Sequence, residues 1–486
     1  MEKTLLHSIE PKGHSNLKIG LFGIGLDTYW PQFAGLKERL EGYLGVVEKK
    51  LSAIHPAIVN AGLVDSAGRA FAAGKMFRTE DVDLIFLYVT TYALSSTVLP
   101  VIQRAKVPVI ILNLSPESAI DYTSFNAMTD RTKMTGEWLA YCSACPVPEI
   151  ANVFNRVGIQ FHQVTGMLHD DPICWNEITE WVEAAKVANT MFYNRLGCMG
   201  HYYSGMLDIY SDLTQQYAYF GGHIELIELE ELATLRKAVT TEEMINRIKI
   251  FYDEFDVQDD CSVEEIEKAA ITSVALDRLV ELYQLGSMAY FYKGTGNVEN
   301  EEAISSVILG NSLLTANGVP VAGEYEIKNV QAMKIMDTFG AGGLFTEYYA
   351  MDFTNDVVLM GHDGPGHIAI AEGKTKVRPL VVYHGKPGKG LSVEMSVKNG
   401  PVTLLSVVEK KGGLMLLVAE GESVAGPVLQ IGNTNSRYKF KPGVRNFVNT
   451  WNSHGPAHHC AVGIGHISSK IEKLGKLLKM EVVKVC

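Results

Sequence analysis

Uninterrupted apolar runs alternate with helical periodicity along the first part of this chain. KIGLFGIG (Lys18 to Gly25), DVDLIFLYV (Asp81 to Val89) and VPVIILNL (Val107 to Leu114) are the clearest runs, and an amphipathic stretch spans Phe33 to Leu51. Such runs between helical patterns read as strands of a parallel sheet buried on both faces. An open α/β sheet is therefore expected over residues 1–188. A helical segment from Trp175 to Tyr193 leads into a second α/β region over residues 189–343. That region has a strand-to-loop passage from Arg195 to His201 and long acidic helical segments between Thr240 and Leu285. From about Phe345 the pattern shifts to glycine-rich, β-branched runs: VVLMG, KVRPLVVYHG, VTLLSVVEKKGGLMLLVAEG and GPVLQIG. Gly412-Gly413, between two apolar runs, is a hairpin signal. Residues 344–486 are expected to form an antiparallel barrel or sandwich closed by a helix from Ser468 to Lys479. The fold class is thus α/β, with two open-sheet domains followed by a β-rich, barrel-like domain.

At 486 residues the chain exceeds a single hydrophobic core. Its 47% hydrophobic and 20% charged residues suit a folded protein. The net charge of −12, from 43 Lys+Arg against 55 Asp+Glu, offers no basic footprint for nucleic acid. No apolar run approaches the roughly 20 residues of a membrane span. The N-terminal MEKTLLHSIEPKGHSNLK lacks a signal-peptide pattern. Seven scattered cysteines, an odd number, argue against a disulfide framework, and a reducing cytoplasm is the expected setting. Cys142 and Cys145 form a lone CxxC with no second pair to complete a zinc site, and they read as idle thiols. Gly20, Gly23 and Gly25 are misspaced for a dinucleotide fingerprint, and Trp30-Pro31 delays the next helix. No nucleotide cofactor is expected.

Ligands of open α/β sheets bind beyond the carboxyl ends of strands. Those ends carry Asp27-Thr28-Tyr29-Trp30, Thr90-Thr91-Tyr92 and Ser115-Pro116-Glu117, whose hydroxyls and aromatic rings suit a polyol; ordinary loops would look the same. The back half holds four candidate metal ligands in glycine-marked contexts. Glu324 sits in Ala322-Gly323-Glu324, before a helical pattern with apolar Ile327, Val330, Met333 and Met336. Glu347 follows Gly342-Gly-Leu-Phe-Thr, His362 follows Val-Val-Leu-Met-Gly, and His459 closes Gly-Pro-Ala-His458-His459. Taken singly, each has a plain alternative. Glu324 could serve the helix dipole, Glu347 could be solvated, and the histidines could be loop residues. The side chains of His458 and His459 cannot both point the same way from a strand. Together, two carboxylates and two imidazoles make a hard-to-borderline set suited to Mn²⁺, Co²⁺ or Mg²⁺.

In order and separation these four elements resemble the L-arabinose isomerase family. The resemblance extends to domain order along essentially the whole chain. It implies three domains and a trimer or hexamer with the active site between subunits. It also implies a catalytic Mn²⁺ held by Glu324, Glu347, His362 and His459, with the two glutamates transferring protons. By the same resemblance Leu26, Thr28, Tyr29, Tyr92, Met206 and His458 are expected to contact the sugar. The match is uneven. The family's Gly-Ser-Gln-His-Leu-Tyr-Gly loop is replaced by Ile24 to Trp30, and its Trp-x-His-Thr-Phe-Ser-Pro by Tyr88 to Leu94. An Ala-His-Gly-Gly histidine is replaced near Lys133 to Gly136. An aldose other than L-arabinose is therefore expected.

The implied reaction moves a carbonyl between C1 and C2 of an open-chain sugar through a cis-enediol. A divalent ion would stabilise the developing charge, and two carboxylates would divide acid and base duties. Two alternatives remain at this point. One is a non-catalytic sugar-binding or regulatory protein. The other is an enzyme of the fucose isomerase type with two carboxylates and one histidine at the metal.

Overall fold

The computed structural model describes residues 15–294, 296–380, 382–383, 386–387 and 390–486. Most of the N-terminal stretch read for a signal peptide, and positions 381, 384 and 385 of KVRPLVVYHG, lie outside the described residues. Residues 16–189 form one compact unit, and residues 190–486 belong to another.

The first unit is built on β1 (Ile19–Ile24), β2 (Ile58–Val64), β3 (Leu84–Tyr88), β4 (Val109–Ser115) and β5 (Phe161–Met167). They form a parallel sheet in the order β2-β1-β3-β4-β5. The three apolar runs became the three central strands, buried along essentially their whole length. The edge strands β2 and β5 were not legible, because an edge strand half open to water needs no continuous apolar run. The helix Leu36–Ile54 starts behind Gly35, whose φ of +82° supplies a left-handed entry. It buries Leu36, Leu40, Leu44, Val47 and Leu51, a stripe at helical spacing. A single 3₁₀ turn, Asp27–Tyr29, follows β1, so no helix N-terminus stands where a dinucleotide phosphate would need one.

The second unit contains a parallel sheet of β6 (Arg195–Gly200), β7 (His223–Ile227), β8 (Ser287–Phe291) and β9 (Val321–Ala322), in the order β9-β8-β6-β7. The β-rich remainder includes β10 (Leu344–Asp352), β11 (Val357–His362), β12 (Gly400–Lys410), β13 (Gly413–Ser423), β14 (Thr434–Phe440), β15 (His459–Ile464) and β16 (Glu481–Lys484), besides short strands between residues 376 and 394 that pair in smaller sheets. The order β12-β15-β10-β11-β14-β13, with β12 also paired to β13, closes a six-stranded barrel, and β16 adds to β13 from outside. Closure removes the exposed edges that so many short apolar strands would otherwise present. The hairpin signal holds: Lys410 pairs with Gly413 across a two-residue turn, with Gly412 at φ +102°. The C-terminal helix runs Ser468–Leu478.

The helix after Glu324 departs from its amphipathic reading. It spans Ile327–Thr338, and every residue from 327 to 336 is buried, Lys328, Asn329, Gln331 and Lys334 included. It packs against β8 and β9 on one side and β12 and β15 on the other, so neither face meets solvent. Its two lysines find internal partners: Lys334 Nζ donates to the Gly318 carbonyl and Lys328 Nζ to the Asp208 carbonyl, both at 2.8 Å. Among the described residues no helix is long and apolar enough to cross a membrane.

Candidate metal centre

Barrel register brings distant residues to one rim. Glu347 on β10 stands opposite His459 on β15 and opposite Gly361 on β11, the neighbour of His362. Glu324 arrives from a different direction, on the turn after β9. Glu324 and Tyr325 both adopt left-handed backbone, φ +56° and +63°, a costly conformation for non-glycine residues. The turn is held by the Tyr325 N–H donating to the Tyr290 carbonyl at 3.0 Å and by the buried Tyr325 ring. That strain aims a carboxylate into the cluster.

His459 Nε2 lies 3.5 Å from Glu324 Oε2, and His362 Nε2 lies 3.9 Å from Glu324 Oε1. His458 Nε2 is 3.8 Å from Glu324 Oε2 and 3.9 Å from Glu347 Oε2. Ligand atoms of Glu324, His362 and His459 fall within 4.8 Å of one another, as do those of Glu347, His458 and His459. Phe345 packs against two of the imidazoles, 4.4 Å from the His362 ring and 4.3 Å from that of His459. Its apolar face lowers the local dielectric and fixes both rings.

The donor set fits a divalent cation. His459 is buried, and neither ring nitrogen has a hydrogen-bond partner. An unsatisfied buried polar group costs about 1–3 kcal/mol, which coordination at Nε2 would offset. A carboxylate stands behind the His459 imidazole, as in many metal sites. Glu326 Oε2 is 3.6 Å from His459 Nδ1, whereas His362 Nδ1 accepts from the Gly364 N–H at 3.0 Å with Asp363 Oδ1 3.4 Å away.

Burial raises the Glu347 carboxyl above the ordinary range, an effect that His459 and His458 partly offset. Burial works against a charged His458, but Glu324 and Asp208 outweigh it and push the imidazole up to about 9. Asp208 is partly buried, which would raise it, yet its bonds to His458 hold it below the usual carboxylate range. A cavity of about 320 Å³ opens beside these groups, lined by Asp208, Glu347, Tyr348, Trp451, Asn452 and His458 among others. A larger cavity of about 330 Å³ on the barrel, lined by Lys374, Lys376 and Arg437 among others, includes none of the candidate ligands.

Glu324, Glu347, His362, His458 and His459 thus converge. The expected opposition of His458 and His459 fails, since their rings lie 3.8 Å apart and both face Glu324. The strand begins only at His459, so the alternation of a strand does not govern His458. Met206 is half-buried on the segment that carries Asp208. Leu26, Thr28, Tyr29 and Tyr92 lie in the other unit, at the carboxyl ends of β1 and β3. Thr28 is exposed, and the Tyr92 hydroxyl donates to Glu149 at 3.3 Å. Thr90 and Thr91, read as polyol contacts, are buried and spent on the backbone. Thr90 Oγ1 accepts from Ile24 N–H at 3.2 Å, and Thr91 Oγ1 donates to the Leu139 carbonyl at 2.7 Å.

Sequence reading missed Asp208, Glu326, Lys328 and Asp363. Glu326 and Asp363 adjoin the recognised motifs, whereas nothing local marks Asp208. Glu326 is fully buried, 3.4 Å from Lys328 Nζ. Glu326→Ala would leave the buried Lys328 charge uncompensated. It is expected to destabilise the protein by about 3 kcal/mol, the scale of a broken buried ion pair. Urea unfolding reads this directly, and an unchanged midpoint would refute the pairing.

Fold and cluster define a two-sheet α/β protein ending in a six-stranded barrel with a carboxylate–imidazole centre at its rim. Residues 342–481, which include Glu347, His362, His458 and His459 but not Glu324, match the L-arabinose isomerase C-terminal domain. Over 290 residues the chain is 23% identical to a sulfoquinovose isomerase of Alkalicoccus urumqiensis; the alignment covers 59% of this chain and 62% of that protein. The chain is thus similar to L-arabinose isomerases over residues 342–481, and it spans less than two thirds of the length of the sulfoquinovose isomerase it matches.

Proposed function

We propose that this protein is a divalent-metal-dependent aldose–ketose isomerase. The observation that carries the reading is the convergence of Glu324, Glu347, His362 and His459 beside a cavity of about 320 Å³. The match of residues 342–481 to an isomerase domain supports it. The four residues would hold the ion, with Mn²⁺ first and Co²⁺ or Mg²⁺ as alternatives. When bound, the ion supplies Lewis-acid stabilisation of the negative charge that develops on the sugar oxygens.

The chain's own groups handle the protons. Isomerisation takes a proton from C2, returns one to C1, and moves the hydroxyl proton between the two oxygens, with no net gain or loss. Glu347 faces the cavity, its side chain 30% exposed, whereas Glu324 is 6% exposed and ringed by three imidazoles. Two carboxylates in unlike surroundings can hold different protonation states, which acid–base division requires. His458, held protonated by its acidic neighbours, can donate to a sugar oxygen. Buried Trp451 and half-buried Tyr348 limit water on one side of the cavity. The alternative with one metal histidine would leave His362 or His459 without a role, although both imidazoles face Glu324.

The proposal extends to substrate, setting and assembly. Leu26, Thr28 and Tyr92 differ from the contacts of the arabinose enzymes, and a site built for one hydroxyl pattern rejects others strongly. Catalytic efficiency is expected to peak on an aldose other than L-arabinose. A panel of pentoses, hexoses and a sulfonated hexose, the last prompted by the sulfoquinovose isomerase match, tests this. A clear maximum on L-arabinose would refute it, and no turnover on any sugar would favour a sugar-binding protein. A cytoplasmic homotrimer or homohexamer is also proposed, and light scattering that found an active monomer would contradict that assembly.

A further inference from the structure

We propose that Asp208 is a positioning residue that fixes the His458 imidazole so that Nε2 points between Glu324 and Glu347, at the sugar and not as a metal ligand. This rests on the isomerase reading above. His458 precedes β15, so no strand register holds it, and its side chain is 37% exposed. Asp208 supplies the missing constraint at two points. Its Oδ2 accepts from His458 Nδ1 at 2.5 Å and from the His458 backbone N–H at 2.9 Å. Placing the Nδ1 proton toward a carboxylate sets the ring's orientation and leaves Nε2 3.8 Å from Glu324 and 3.9 Å from Glu347.

Asp208 is itself held from the segment that presents Glu324. Lys328 Nζ donates to the carbonyls of Asp208 at 2.8 Å and Tyr210 at 3.1 Å, and pairs with Glu326 at 3.4 Å. Glu326 in turn stands behind His459. One polar network therefore runs from His459 through Glu326 and Lys328 to Asp208 and His458. The same segment has further anchors: buried Ile209, and Ser211 Oγ donating to Glu409 at 2.8 Å. Removing the Asp208 carboxylate should thus free the imidazole without releasing the segment.

The test compares wild type with Asp208→Asn, Asp208→Ala, Asp208→Glu, His458→Gln and the Asp208→Asn/His458→Gln double variant. Expected for Asp208→Asn and Asp208→Ala are kcat lowered at least about tenfold on the best panel sugar, KM within about threefold, and Mn²⁺ affinity and thermal midpoint near wild type. Asp208→Glu should recover part of kcat. The double variant should be no slower than His458→Gln alone, because both changes remove one function. Histidine-selective NMR supplies a readout independent of turnover: a downfield His458 Hδ1 resonance, present in wild type and lost in Asp208→Ala. Unchanged kcat, additive losses, or absence of that resonance in wild type would overturn the proposal. So would a parallel fall in Mn²⁺ affinity, which would make His458 a ligand. If wild type turns over no sugar while the resonance behaves as expected, the isomerase reading fails and the Asp208–His458 contact stands.

Discussion

Glutamine in place of Glu324 or Glu347 is expected to lower turnover by at least about two orders of magnitude, the scale of lost acid–base catalysis. Glutamine keeps the shape of the side chain but removes both the negative charge and the ability to take up a proton. At position 324 the loss falls among three imidazoles, with His459, His458 and His362 nitrogens 3.5 to 3.9 Å from the carboxylate oxygens. A weakened hold on the metal should accompany it. At position 347 the side chain lines the cavity and is 30% exposed, so the fold loses little. Turnover should fall there even when bound metal matches wild type. Both variants should unfold within a few degrees of wild type, since neither opens a hole nor strands a lysine. Turnover, metal content and thermal midpoint measured on the same preparations separate these effects. Either variant turning over at near the wild-type rate would remove that glutamate from the proposed chemistry.

Metal removal is expected to have the other large effect. Chelation should abolish isomerisation, and Mn²⁺ or Co²⁺ should restore it. Stability should move with activity, because a ligand that binds only the folded state stabilises it by mass action, about 2.7 kcal/mol at a hundred times its dissociation constant. The structural reason is specific. Carboxylates Glu324 and Glu347 and the unpartnered nitrogens of buried His459 crowd one rim of the barrel, and a cation relieves both the like charge and the missing hydrogen bonds. Thermal unfolding of stripped protein, titrated with Mn²⁺, Co²⁺, Mg²⁺ and Ca²⁺, should show a rising midpoint that saturates first with Mn²⁺ or Co²⁺. His459→Ala should abolish the rise. Full activity in exhaustively stripped protein would sink the metal proposal, whatever the stability data showed.

What the sequence determined by itself is what short-range pattern can encode. The central strands β1, β3 and β4 were legible because a strand buried on both faces must be apolar at consecutive positions. The β12–β13 hairpin was legible because its turn needs Gly412 at positive φ. Candidate ligands were legible by residue type and local glycine context, which narrows chemistry but places nothing in space. Tertiary structure decided the rest. The edge strands β2 and β5 carry no continuous apolar signal, and the helix 327–338 is buried on its polar side because sheet and barrel both cover it. Antiparallel register, not proximity in sequence, sets Glu347 opposite His459 and beside His362, and strand onset at His459 frees His458 to face the same point. Asp208 meets His458 across 250 positions of chain. Hydrophobic periodicity is a local property of a few turns or a few residues. A contact between remote polar groups depends on barrel closure and turn conformation, which only the assembled core can fix.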